Sequence, residues 1–175
     1  MFIKPVIGAV VIIAIALSCV VSKFYTLTDQ QKTTRVMTNK EYVEHMKQVK
    51  CLADNVYYEA GNQSIAGKKA VAYVTLNRLQ SRNWPNSVCE IVYQKTVDAA
   101  TRLIVCQFSW VCESRRQPEK EVWNLSFNIA KLVMDEFYSN NSDPTRGSRY
   151  FHATYVNPQW NLQKMVQIDD HIFYR

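Results

Sequence analysis

The chain has 175 residues, a formal net charge of +6 and 12% aromatic residues, among them ten Tyr and four Trp. Beyond an apolar N-terminus about 150 residues remain, enough for one domain with a single core. The basic residues, such as Lys47, Lys50, Lys68, Lys69, Arg78 and Arg82, are scattered without an arginine-rich arm; the charge favours an acidic polymer as partner without choosing which.

Residues 1–22 read as a signal or anchor segment. Lys4 is the only early charge, and Val6 to Val21 is almost wholly apolar. That length is short for a membrane span and long for a signal-peptide core. Gly8, Ala9, Ala14, Ala16 and Ser18 lower its hydrophobicity, so three fates are compatible with it: retention, cleavage, or release intact. Ala16-Leu17-Ser18-Cys19 also resembles a lipoprotein processing site, with Ala16 where a larger aliphatic residue is usual. The body is expected outside the cytoplasm, anchored in the inner membrane or in the periplasm and cell wall.

Residues 23–40 are polar and read as a tether. Tyr42, Met46, Val49, Ala53 and Val56 recur at helical spacing and predict an amphipathic helix over 41–58. Gly61 and Asn62 tolerate left-handed backbone angles and are expected to stop it. A second helix is predicted over 65–79, with Ala70, Val71, Val74 and Arg78 on one face and Ala66, Gly67 and Ala70 allowing close packing. Trp84-Pro85-Asn86 breaks the pattern, and 87–94 reads as a short helix. Residues 95–118 show no clear period, and Gln107-Phe108-Ser109-Trp110 reads as a loop or short turn. A helix over 120–138 places Val122, Leu125, Ile129, Val133 and Phe137 inward. After a loop at 140–147, 149–155 and 166–174 read as two strands of a hairpin. The fold class is α+β, mostly helical, with residues 41–175 as its single domain.

Five cysteines occur: Cys19, Cys51, Cys89, Cys106 and Cys112. In an oxidising compartment the last four are expected to pair, in any of three connectivities. A zinc site is the rival, but no Cys-x-x-Cys occurs and His45, His152 and His171 lack ligand spacing. No metal or cofactor is expected.

Glu59 lies in Val56-Tyr57-Tyr58-Glu59-Ala60-Gly61-Asn62, an acid among apolar and aromatic groups. Such surroundings strip hydration from the ionised carboxyl and raise its pKa, as a general acid in glycoside cleavage requires. The plainer reading is an exposed Glu at a helix end, and the rest of the chain decides against it.

Four blocks carry a resemblance. Tyr57, Glu59, Ala60 and Gly67 form a Tyr-x-Glu-Ala core with a glycine eight residues after the acid. Ala70 to Arg78 is an apolar helix ending in Asn-Arg, continued by Trp84 to Gln94. The third block is Cys106-Gln107-Phe108-Ser109-Trp110. The fourth holds Ala153, Tyr155, Asn157, Pro158, Trp160, His171, Phe173 and Tyr174. From about residue 50 to its end the chain resembles the SleB-type cell wall hydrolases, which include spore-cortex-lytic enzymes. It departs from them at Gly61-Asn62-Gln63, where the family has Arg-Gly-Glu, so that Gln63 stands in place of an acid.

The resemblance implies a lysozyme-like fold, peptidoglycan glycan strands as substrate and Glu59 as catalytic acid. Cleavage of the N-acetylmuramic acid to N-acetylglucosamine β-1,4 bond can then follow two routes. A muramidase needs a second carboxylate for water; a lytic transglycosylase uses the muramic 6-hydroxyl and one carboxylate, the route Gln63 favours. Asp54, Glu90, Glu113, Asp169 and Asp170 are the candidate second acids. Tyr58, Gln63, Gln107, Phe108, Ser109, Trp110, Tyr155, Asn157 and Trp160 are the candidate substrate contacts, and His171 is expected to be a satisfied structural histidine. A short export segment on a wall-lytic domain also resembles phage signal-anchor endolysins, in which Cys19 could exchange with a body disulfide. A monomer is expected. The alternatives are a non-catalytic peptidoglycan-binding module, which has no use for a desolvated acid, and a membrane-tethered nucleic-acid binder, which needs clustered Lys and Arg that this chain lacks.

Overall fold

The computed structural model describes residues 37–114, 117–139 and 143–175. The proposed signal or anchor segment, Cys19 and the tether up to residue 36 lie outside them. Among the described residues no helix is long and apolar enough to cross a membrane. Internal contacts divide the chain into Met1–Lys40 and Glu41–Arg175; the elements below belong to the second unit, apart from the first two residues of α1.

Helix α1 spans Asn39–Ala60 and is buried only from Val49 onward. Tyr42, expected on the apolar face, is exposed. The helix stops at Ala60, but neither Gly61 nor Asn62 adopts a left-handed backbone. The end is held instead by a lysine. Lys68 is buried, and its Nζ donates to the carbonyls of Ala60, Gly61 and Gln63 at 2.9, 2.8 and 2.6 Å. One ammonium thus takes the place of the left-handed cap for carbonyls that a helix end leaves unpaired.

Helix α2 spans Ile65–Leu79, as predicted, and is buried on nearly every side. Ser64 is its N-cap and accepts from the Gly67 N–H at 3.3 Å. Helix α3 is Val88–Val92, capped by Ser87 and stapled to α1 by a Cys51–Cys89 disulfide. Helix α4 spans Lys120–Tyr138. Its inward stripe is Ser126, Ile129, Ala130, Val133 and Met134, whereas Leu125 is 42% exposed, a correction to the predicted face. The main core joins Val49, Leu52, Val56, Tyr73, Leu76, Val92 and Val133 across these helices.

Two small antiparallel sheets complete the fold. β1 (Lys95–Val97) pairs with β2 (Ile104–Cys106), closed by a turn in which Asp98 Oδ1 accepts from Ala100 N–H at 3.1 Å and Thr101 N–H at 2.7 Å. A 3-10 turn, Ser109–Val111, follows. The tail is a three-stranded sheet, not a hairpin. β3 (Tyr150–Ala153), β4 (Lys164–Ile168) and β5 (His171–Tyr174) lie in the order β3-β5-β4. The predicted second strand splits because Asp169 takes a left-handed φ of 48° and turns the chain back. Phe173 in β5 seats the sheet on Ala70 and Val74 of α2. The fold class is α+β, as expected.

Candidate active site

Glu59 sits in the last turn of α1. Its half-buried carboxyl opens on a cleft of about 570 Å³. Four parts of the chain make the other walls: the 107–113 loop, β3 with the residues after it, the start of β5 at His171, and the Arg78 end of α2. Among the described residues no side chain hydrogen-bonds the Glu59 carboxyl. Burial pushes its pKa from 4.5 up to about 7; the positive charge of Arg78 opposes that rise and the negative charge of Glu113 adds to it. Glu59 is therefore substantially protonated at neutral pH, the state a proton donor needs.

The 107–113 loop is held at both ends. A Cys106–Cys112 disulfide closes it, and Trp110 Nε1 donates to the buried Asn55 Oδ1 at 3.3 Å. Asn55 in turn donates to Thr75 Oγ1 at 3.1 Å, tying α1, α2 and the loop together. Tyr58 stacks on Trp110, with centroids 4.5 Å apart and ring planes 19° from parallel. A second cleft, also of about 570 Å³, adjoins the first across this pair and Glu113; Tyr57, Asn62, Glu119 and Val122 line its far side.

Of the predicted contacts, Tyr58, Gln107, Phe108, Ser109, Trp110, Tyr155 and Trp160 line the Glu59 cleft. Phe108 and Trp110 are largely core and present only an edge, whereas Tyr155 is 89% exposed at the rim. Gln63 and Asn157 do not line it. Gln63 faces the β4–β5 turn, where its Nε2 donates to Asp170 Oδ2 at 3.2 Å and its Oε1 accepts from the Asp170 N–H at 3.1 Å. Its closeness to Glu59 in sequence is not closeness in the cleft.

The candidate second acids separate in the same way. Asp54 accepts from Trp123 Nε1 and Tyr93 Oη, both at 2.9 Å, and pairs with Lys50 at 3.0 Å. Glu90 accepts from Ser87 Oγ at 2.9 Å, Asp169 from Ser64, and Asp170 from Gln63. Glu113 alone of the five lines the Glu59 cleft.

Sequence reasoning missed Arg78, Tyr150, Phe151, His152 and His171 as cleft residues. His171 is not the satisfied histidine expected. It is 7% exposed, and its buried Nδ1 has no partner among the described residues. Burial lowers its pKa against the pull of Asp170 and Asp169, so the ring is neutral near pH 7. The pairing of Ala153 with His171 in the β3–β5 register sets this residue at the cleft end of the sheet.

The sequence profile of the family described as Cell Wall Hydrolase matches residues 62–174, beginning just past Glu59. The fold is shared with a solved structure, the catalytic domain of the Bacillus cereus SleB protein. That likeness has a TM-score of 0.51 and 22% identity, over 73% of this chain and 89% of that one. No curated protein matches the chain. The chain belongs to the cell wall hydrolase family. It is accordingly a peptidoglycan-degrading enzyme.

Proposed function

We propose that the chain cleaves the β-1,4 bond between N-acetylmuramic acid and N-acetylglucosamine, with Glu59 as general acid. The observation that carries this reading is a half-buried carboxyl, its pKa pushed up to about 7, in a cleft walled by aromatic rings. Glu59 gives its proton to the leaving O4 of N-acetylglucosamine as the C1–O4 bond breaks and positive charge builds on the muramic ring. Tyr58 and Trp160 offer ring faces to sugars, and Gln107 and Ser109 offer polar groups to N-acetyl or hydroxyl substituents.

Two nucleophiles can complete the reaction. The muramic 6-hydroxyl gives an anhydro end and needs Glu59 alone, which then takes back a proton. Glu113 in the same cleft favours the second reading, hydrolysis, in which its carboxylate draws a proton from water as the water attacks C1. The apolar run from Val6 to Val21 supports export, with the enzyme working as a monomer outside the cytoplasm, anchored or released.

Zymography on peptidoglycan tests the acid: Glu59→Gln is expected to clear no zone, and a cleared zone would refute the assignment. Mass spectrometry of the digest then reads the route. Anhydro-muramic ends mean transglycosylation, and reducing muramic ends mean hydrolysis.

A further inference from the structure

Arg78 is more than a residue of the apolar helix it terminates. It is 3% exposed, and its guanidinium is fixed on three sides. The Cζ lies 4.4 Å from the Trp84 ring centroid and 5.1 Å from that of Phe108, and Nε donates to the Arg149 carbonyl at 2.8 Å. Its Nη1 is sealed from solvent and has no hydrogen-bond partner among the described residues. A buried donor on a charged group is costly to leave unpaired. Held this firmly, it cannot turn to water. Such a donor makes sense where an acceptor charge develops during the reaction.

One side chain in the cleft develops such a charge. When Glu59 gives up its proton, a carboxylate is left where water is scarce. We propose that Arg78 is a positioning residue for the acid, its free Nη1 receiving the Glu59 carboxylate as the proton leaves for the glycosidic oxygen. This rests on Glu59 being the acid. Tyr58 faces the site from α1, Glu113 from the loop, Tyr150 and His152 from β3, and His171 from β5. His152 has both ring nitrogens engaged, with the Ala153 carbonyl and the Tyr174 hydroxyl, and His171 is neutral near pH 7. Arg78 is the one Lys or Arg lining the cleft among the described residues. Burial pushes its own pKa down to about 10, which leaves it positive at neutral pH. When Glu59 is reprotonated, by the muramic 6-hydroxyl in transglycosylation or from solvent after hydrolysis, the pair dissolves and the site is reset.

Arg78→Met in the full-length chain removes the cation and keeps an apolar stem. The alkaline limb of the pH–rate profile, centred in the wild type near the Glu59 value of about 7, is expected to move up by about one unit. The plateau kcat is expected to fall about 10- to 100-fold, because a carboxyl without its partner is a weaker acid. Arg78→Lys should bring the limb back with part of the rate. A folded Arg78→Met whose limb stays in place overturns the proposal. Should that variant fail to fold, the wild type answers by NMR. The Arg78 guanidinium nitrogens are expected to titrate with the same midpoint as the Glu59 carboxyl carbon between about pH 5 and pH 9, and a guanidinium blind to that titration overturns it. An active Glu59→Gln would sink the acid assignment separately, whatever the Arg78 titration shows.

Discussion

Asp169 reaches from the β4–β5 turn to Ser64 and accepts both its backbone N–H, at 2.9 Å, and its hydroxyl, at 2.6 Å. The turn that presents His171 is thereby fastened to the start of the helix that ends in Arg78, so two walls of the cleft share one anchor. Gly67 lies beneath it, and a Cβ there would run into Asp169 Oδ2 and come within 2.9 Å of Gln63 Cβ. The glycine eight residues after Glu59 is thus required by a close approach.

Gly67→Ala should push the β4–β5 turn away and destabilise the fold by about 1–3 kcal/mol. Asp169→Ala should cost about 1 kcal/mol. The Asp169 pKa is held down first by the Ser64 hydroxyl and then by backbone N–H groups. Its contribution is therefore present above the ordinary carboxylate range and lost as the pH falls through the folded value. Urea melts at neutral and acid pH check both: the gap between wild type and Asp169→Ala should close on acidification.

Glu59 carries the opposite sign. Its folded pKa of about 7 exceeds the ordinary 4.5, so the folded state holds the extra proton between those values and stability falls as pH rises through them. Glu59→Gln removes that penalty. The variant should match the wild type at acid pH and melt higher above pH 7, by no more than about 3 kcal/mol. Thermal melts across this range, read beside the zymogram, should show an enzyme made more stable and inactive by one substitution.

The two disulfides should separate in effect. Cys51–Cys89 closes 38 residues and Cys106–Cys112 only 6. On loop-closure entropy the first stabilises by about 4 kcal/mol and the second by about 2 kcal/mol. Cys106→Ser with Cys112→Ser should therefore lower activity well beyond its effect on the melting temperature, because the freed loop carries Gln107, Phe108, Ser109 and Trp110. Cys51→Ser with Cys89→Ser should act mainly on stability.

Lys68→Met leaves the carbonyls of Ala60, Gly61 and Gln63 without their ammonium. A loss of about 2–4 kcal/mol is expected, measured by chemical denaturation. Activity in the folded fraction should fall as well, since the turn bearing Glu59 loses its clamp.

The helices were legible because each buries a stripe or a whole circumference at helical period, as α2 and α4 do. The β1–β2 hairpin was not, because Val97, Ile104 and Val105 are all exposed and no alternation marks an inner face. The tail misled because the Asp169 turn falls within one run of strand-forming residues. In the cleft, Glu59 stood out only when its Tyr-x-Glu-Ala block was taken with the blocks further along the chain, the Gln107–Trp110 run among them; on its immediate neighbours alone it read as an exposed acid at a helix end. Arg78 looked like the polar end of an apolar helix; its guanidinium is set at the cleft by the Trp84 ring six residues on and the Phe108 ring thirty residues on. Gln63 failed for the converse reason, since the chain turns after Ala60 and carries it to Asp170.

The two clefts meeting at Tyr58 and Trp110 bear on where along a strand the cut falls. Among the described residues the two clefts share Tyr58, Trp110 and Glu113, so the groove that holds Glu59 runs on past the stacked pair. Glycan lying across the stacked rings would be gripped on either flank of the scissile linkage, so long polymers should be severed mid-length, with wall preparations losing turbidity before short fragments accumulate.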